Sequence, residues 1–180
     1  MGRTILGIVL AAVAVFIWGF LFWGLNPLPY SSWKQSTGDE AAQAALREHF
    51  PEDGTYFIPS PMGPEAERLH LKGPVAFLNI KSGGPMMDSS AMIGGLLQNL
   101  LVAAVLLSLL KLVPSTISDL GSQIKYAALF GLVTALLIDL GDVVWWFEDV
   151  SWKLYMAFYH ITSFVIFTVI LCRFSIDRKG

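Results

Sequence analysis

The sequence predicts an all-α membrane protein: four transmembrane helices with a small α/β insertion between the first and the second. Three observations carry this reading. Of 180 residues, 54% are hydrophobic and only 14% charged, whereas soluble domains carry about 25% charged residues. The apolar residues gather into four runs, at 4–24, 91–110, 126–146 and 152–171. Each holds about 20 residues, enough at about 1.5 Å per residue to cross a hydrocarbon core of about 30 Å. The stretch between the first two runs is instead polar and rich in proline and glycine. The expected divisions are a transmembrane anchor at 1–26, an extracytoplasmic α/β segment at 27–90, and a three-helix bundle with a short cytoplasmic tail at 91–180.

The first run follows Arg3, as a signal peptide would, but it is longer than a typical signal core. It ends in Trp18, Phe20, Phe22 and Trp23, with no small-x-small site before Asn26-Pro27. These features predict an uncleaved anchor. The second run is closed by Lys111 and stopped near Pro114, which cannot continue a helix. Only 147–151 separates the third run from the fourth, so those two helices are expected to form an antiparallel hairpin.

Orientation follows from the short flanks. Arg3, Lys111, Lys125, Arg173, Arg178 and Lys179 fall at one membrane side, and Glu148 and Asp149 at the other, with Lys153 a boundary charge just beyond the acidic turn. The positive-inside rule then places both termini in the cytoplasm and 27–90 outside it. Trp23, Tyr30, Trp33, Trp145, Trp146, Trp152 and Tyr155 collect near the same boundary, as an interfacial belt does. No Asn-x-Ser/Thr occurs, and the expected location is a bacterial inner membrane.

Within the insertion, Asp39 and Glu40 follow Thr37-Gly38 and suit the positive end of a helix running to His49. Residues 55–58 and 74–80, rich in β-branched and aromatic side chains, read as strands. A two-stranded sheet with one helix is marginal alone. The segment is therefore expected to rest on the membrane surface, on a second copy or on a partner protein.

Several function classes have no footprint. The net charge is −2 with no basic block, which excludes the electrostatics of nucleic-acid binding. The single cysteine, Cys172, allows neither an intrachain disulfide nor a cysteine zinc site. Met62, Met86, Met87 and Met92, with His49 and His70, have the donor types for Cu(I) but lack a repeated spacing, so they read as packing and interface residues. Phosphate-loop, zincin and serine-hydrolase motifs are absent, and neither a cofactor nor a metal is expected.

What demands explanation is the polar set inside the spans. A charge at the bilayer centre costs at least about 2.5–3.5 kcal/mol on insertion scales, so such residues face protein and often carry function. Asp139 lies eight residues before Phe147, and His160 eight after Trp152. In a tight hairpin that puts both about 12 Å below the boundary. Asp142 lies about one turn nearer the turn, and Gln98 and Asn99 fall at a similar depth on the second span. Gly131, Ala135 and Asp139 share a stripe at i, i+4, i+8 that permits close packing. Tyr159 and Ser163 flank His160, and Trp18 is the only polar group near that level on the first span.

The expected feature is thus a buried polar layer of Asp139, Asp142, His160, Gln98 and Asn99. It serves as interhelical hydrogen bonding, as a proton or cation relay of the Asp/His kind, or as a three-ligand metal site. The leading expectation for the whole chain is an accessory or interaction subunit of an envelope membrane complex. It would bind the lipid bilayer around it and a protein partner, or another copy of itself, through the insertion and the transmembrane faces. The alternatives are a small proton- or ion-coupled transporter, and an enzyme acting on a lipid or quinone with Asp142, Glu148 or Asp149 in acid–base roles.

Overall fold

A computed structural model describes residues 2–112 and 119–176. Pro114, Arg178 and Lys179, used above for a helix stop and for orientation, lie outside the described residues. Two compact units emerge: one runs through Trp33 and resumes at Ser89, and the other is Lys34–Asp88.

The first unit holds four helices long and apolar enough to cross a membrane, Gly2–Leu25, Ser89–Leu112, Leu120–Trp146 and Val150–Phe174. With this composition the chain is a multi-pass membrane protein. In chain order these are α1 (Gly2–Gly19) continued by a π-helical stretch Phe20–Leu25, α4 (Ser89–Leu112), α5 (Leu120–Thr134) continued through a π-turn at Ala135–Asp139 into α6 (Leu140–Trp146), and α7 (Val150–Phe174). Each span is longer than its apolar run. The helix caps recruit polar residues that hydropathy alone assigns to loops.

The packing is asymmetric about α7. On one side α1 and α4 share an apolar core with it, built from Ala11, Val15, Ala103, Leu106, Leu110 and Leu171. Cys172 is buried in the same core. Small residues on α1 let it approach closely: a Cβ at Gly19 would meet the Tyr159 hydroxyl at 2.9 Å. The two helices run antiparallel, with Trp18 Nε1 donating to Thr162 Oγ1 at 3.1 Å. On the other side α5 packs along α7, its one extended partner among the described residues. Most of the remaining large apolar side chains point outward, as lipid contact requires.

A ring cluster closes the end of α1 that meets the start of α7. Residues 28–32 form a short 3-10 helix, and Tyr30 donates to the Trp23 carbonyl at 2.7 Å. Trp152 lies 5.3 Å from Trp23 and 5.1 Å from Trp33 between ring centroids. Folding back in this way keeps 27–33 with the helices, so the boundary of the insertion falls at Lys34 rather than after Asn26. Trp145 and Trp146 stand exposed on the outer surface of α6.

The α6–α7 turn is capped from both sides. Phe147 takes a left-handed conformation at φ 59°, and its N–H, with that of Glu148, returns to the Asp142 carbonyl. This is the orphan-carbonyl closure common at helix ends. Asp149 then opens α7, its Oδ1 accepting from Trp152 N at 3.0 Å. Replacing Asp149 by alanine is expected to cost about 1 kcal/mol, read as a lower midpoint in thermal unfolding of the detergent-solubilised protein.

The second unit, Lys34–Asp88, contains α2 (Asp39–His49), β1 (Gly54–Ile58), α3 (Ala66–Lys72) and β2 (Ala76–Ile80). Asp39 and Glu40 sit in the first turn of α2 and Arg47 and His49 in its last, each complementing the helix dipole. The strands pair antiparallel, with Thr55 opposite Asn79 and Phe57 opposite Phe77. The second strand starts at Ala76 rather than at Pro74, which has no N–H for the ladder. Helix α3 is an element that the sequence pattern did not indicate. It is barely two turns long and sits between prolines, too short for a periodicity to register.

Ser82 donates to Asp53 Oδ1 through its N–H, at 2.7 Å, and through its hydroxyl. These bonds hold the Asp53 carboxyl below its ordinary value. A depressed carboxyl contributes stability above its unfolded value, and that contribution is lost as pH falls through the folded one. The Ser82 amide resonance is therefore expected to shift on acidification below the ordinary carboxylate range, and to lose that response in Asp53→Asn.

Candidate functional site

Every buried polar side chain described in the protein lies on one helical hairpin. Gln123 and Asp139 come from the α5–α6 span, and Lys153, Ser163 and Thr168 from α7. Helices α1 and α4 contribute none.

The α5–α6 face is set by a strict spacing of four. Gln123, Ala127, Gly131, Ala135 and Asp139 are all buried. In a regular α-helix each step of four residues turns the face by about 40°. The π-turn at Ala135–Asp139 has more residues per turn and undoes part of that drift, which returns Asp139 to the α7 side. At the centre of the contact Gly131 lies so close that a Cβ there would sit 2.5 Å from Ile161 Cα. This proximity lets short side chains on the two helices reach one another.

Asp139 and His160 meet here: His160 Nδ1 lies 2.9 Å from Asp139 Oδ2. The Asp139 side chain is 3% exposed and that of His160 25%. The second carboxylate oxygen, Asp139 Oδ1, is buried with no hydrogen-bond partner among the described residues. One further buried hydroxyl on α7, Thr168 Oγ1, is in the same condition.

Nearer the turn sits a second cluster. Lys153 Nζ lies 2.6 Å from Asp142 Oδ2 and 3.0 Å from Glu148 Oε2. The lysine side chain is only 7% exposed, while the two acids reach the surface. Lys153, a boundary charge beyond the turn by sequence, is instead drawn in as the base of this cluster. The available signal is that Asp142 and Lys153 stand five residues before and four residues after the 147–149 turn.

The other expected members of the layer lie elsewhere. Gln98 is exposed on the surface of α4 and Asn99 is half-buried. Neither bonds to Asp139 or His160 among the described contacts. Counting residues from a boundary gives depth but not the direction in which a side chain points, and α4 turns these amides away from the hairpin. Asp139, Asp142 and His160 do not form a three-ligand set, since no group of three His, Cys, Asp or Glu side chains suited to a metal occurs among the described residues. Of the residues weighed for acid–base roles, Asp142 and Glu148 are held by Lys153, and Asp149 caps α7.

Chemically the hairpin offers two things. The Asp139–His160 pair can hold a proton along the Oδ2–Nδ1 line, and Oδ1 is an acceptor with nothing donating to it among the described residues. The Asp142–Lys153–Glu148 cluster carries two acids against one base and extends to the water-facing turn. Comparison of the chain with protein-family models, with curated proteins and with solved structures finds no match.

Proposed function

We propose that the protein is an accessory subunit that docks another membrane protein, with Lys34–Asp88 as the principal docking surface. The observation that carries this reading is that no residue of Lys34–Asp88 is buried. The unit has two helices and a sheet, yet Leu46, Phe50, Tyr56, Ile58, Leu78 and Ile80 are only half-buried. Met62, Leu71 and Met87 are strongly exposed. Apolar surface left open by a folded unit marks an interaction site. The outward amide of Gln98 adds to it: a carboxamide facing hydrocarbon gains a hydrogen bond when a neighbouring helix covers it.

The membrane is proposed to be the bacterial inner membrane, with the termini in the cytoplasm and Lys34–Asp88 outside it. Arg3, Lys111, Lys125 and Arg173 at one end of the spans favour that direction. The pairing of Lys153 with Asp142 and Glu148 strengthens the asymmetry, because it leaves the 147–149 end without an unpaired base.

The test compares tagged full-length protein with a form in which Lys34–Asp88 is replaced by a short Gly/Ser linker, both purified from the native host in mild detergent. The expected result is one stoichiometric membrane protein with the full chain and none with the shortened form. An intact mass corresponding to this chain alone, as monomer or dimer, overturns the reading.

A further inference from the structure

We propose that the Asp139–His160 pair is a buried proton-binding centre, exchanging its proton with water at the 147–149 turn by way of Asp142, Lys153 and Glu148. The inference is independent of the docking role, since it concerns a different unit of the fold.

Three observations converge on it. Asp139 is nearly fully buried, and one of its two oxygens has no donor among the described residues. Buried carboxylates normally satisfy both oxygens, so an acid with one oxygen idle is not optimised for permanent ionisation. Its single partner is an imidazole at 2.9 Å, the side chain whose charge changes nearest neutrality. The third observation is the chain of groups leading outward. Asp142 lies one helical turn from Asp139, Lys153 bridges it to Glu148, and Glu148 is 38% exposed at the turn.

Charge counting gives the stoichiometry. With one proton the Asp139–His160 pair is neutral. Asp142 and Glu148 against Lys153 leave one negative charge unbalanced, so the whole cluster becomes neutral by taking up one proton more. That proton comes from hydronium in the aqueous phase and leaves water behind. Only O–H and N–H bonds form or break, and no other reactant is needed. Other helices do not supply the missing charge: α1 carries no titratable residue after Arg3, and α4 none before Lys111. At this depth α1 offers the Trp18 indole, which is bonded to Thr162. On α7 the neighbouring Tyr159 faces Gly19.

The simpler alternative is that the pair is a fixed interhelical hydrogen bond. The two differ in whether the proton moves. Full-length protein labelled with 15N-histidine and reconstituted in lipid nanodiscs separates them, with the His160 signals assigned by their loss in His160→Gln. Over about pH 5–8, where an imidazole ordinarily changes charge, the expected result is a step in the His160 nitrogen shifts that is displaced in Asp139→Asn. Exchange of the His160 ring proton with deuterium is expected to slow about tenfold in Glu148→Gln, because the route to water is interrupted. Nitrogen shifts that stay fixed across the range overturn the proposal. So does a step unmoved in folded Asp139→Asn, or an exchange rate unchanged in Glu148→Gln. The wild-type titration and the Glu148→Gln comparison decide the matter even where Asp139→Asn does not fold.

Discussion

Replacing Lys153 by methionine is expected to destabilise the membrane domain by about 3 kcal/mol, the lower end of the range for removing one partner of a buried ion pair. Methionine keeps most of the volume and the unbranched stem, so packing is largely preserved. What is lost is the one base that lies between Asp142 and Glu148, at 2.6 and 3.0 Å. The lower end of the range applies because both acids reach the surface and water can partly solvate them. A denaturing-detergent titration followed by circular dichroism measures the loss. The cause is checked by adding Asp142→Asn, which removes the stranded charge and should recover at least half of the stability. A double variant no better than Lys153→Met alone would mean that the lysine acts through packing.

Gly131→Ala is the second large effect. Its Cβ would stand 2.5 Å from Ile161 Cα. A flexible side chain could rotate away, but a helix backbone has to translate. Overpacking of this kind costs about 1–3 kcal/mol, and Gly131→Leu should exceed it. Gly141 and Gly94 supply the control, since a Cβ at either meets nothing within 4 Å. Alanine there is expected to be neutral, or to stabilise by up to about 1 kcal/mol through the lower backbone entropy of the unfolded chain. The same titration should therefore separate glycines on the helix contact from glycines facing lipid. Because Gly131 spaces the whole hairpin, its alanine variant should also disturb the His160 ring signals, whereas Gly94→Ala should not.

The spans were legible because a membrane imposes a length and a composition that few other environments require. Their ends were less so: caps such as Asp119, which accepts from Ser122 at 2.9 Å, extend α5 well before the apolar run at Tyr126. The Asp139–His160 contact could be anticipated because a three-residue turn fixes the register of the helices it joins. The register that joins Asp139 to His160 sets Asp142 near residue 157, so the Asp142–Lys153 pair did not follow from the hairpin alone. The position of Gln98 was not legible. Nothing in an apolar helix with polar residues at one depth says which face its neighbours occupy, and α4 packs on α1 and α7 instead of on α5. The π-turn at Ala135–Asp139 was equally hidden, since its reason is the three-dimensional contact it keeps in line.

The asymmetric packing about α7 has a consequence for how the chain enters the bilayer. The α5–α6 span carries Asp139 and Asp142, yet the helix that neutralises and covers them is made only after it. Inserted alone, this span would present two carboxylates to lipid, Asp139 at a cost approaching about 2.5–3.5 kcal/mol near the bilayer centre and Asp142, closer to the boundary, at less. Helices α1 and α4 provide no shelter, because their shared core lies on the far side of α7. The span is therefore best accommodated if it waits at the translocation channel until α7 emerges, so that the two partition together as one helical pair with Lys153 and His160 already facing the acids.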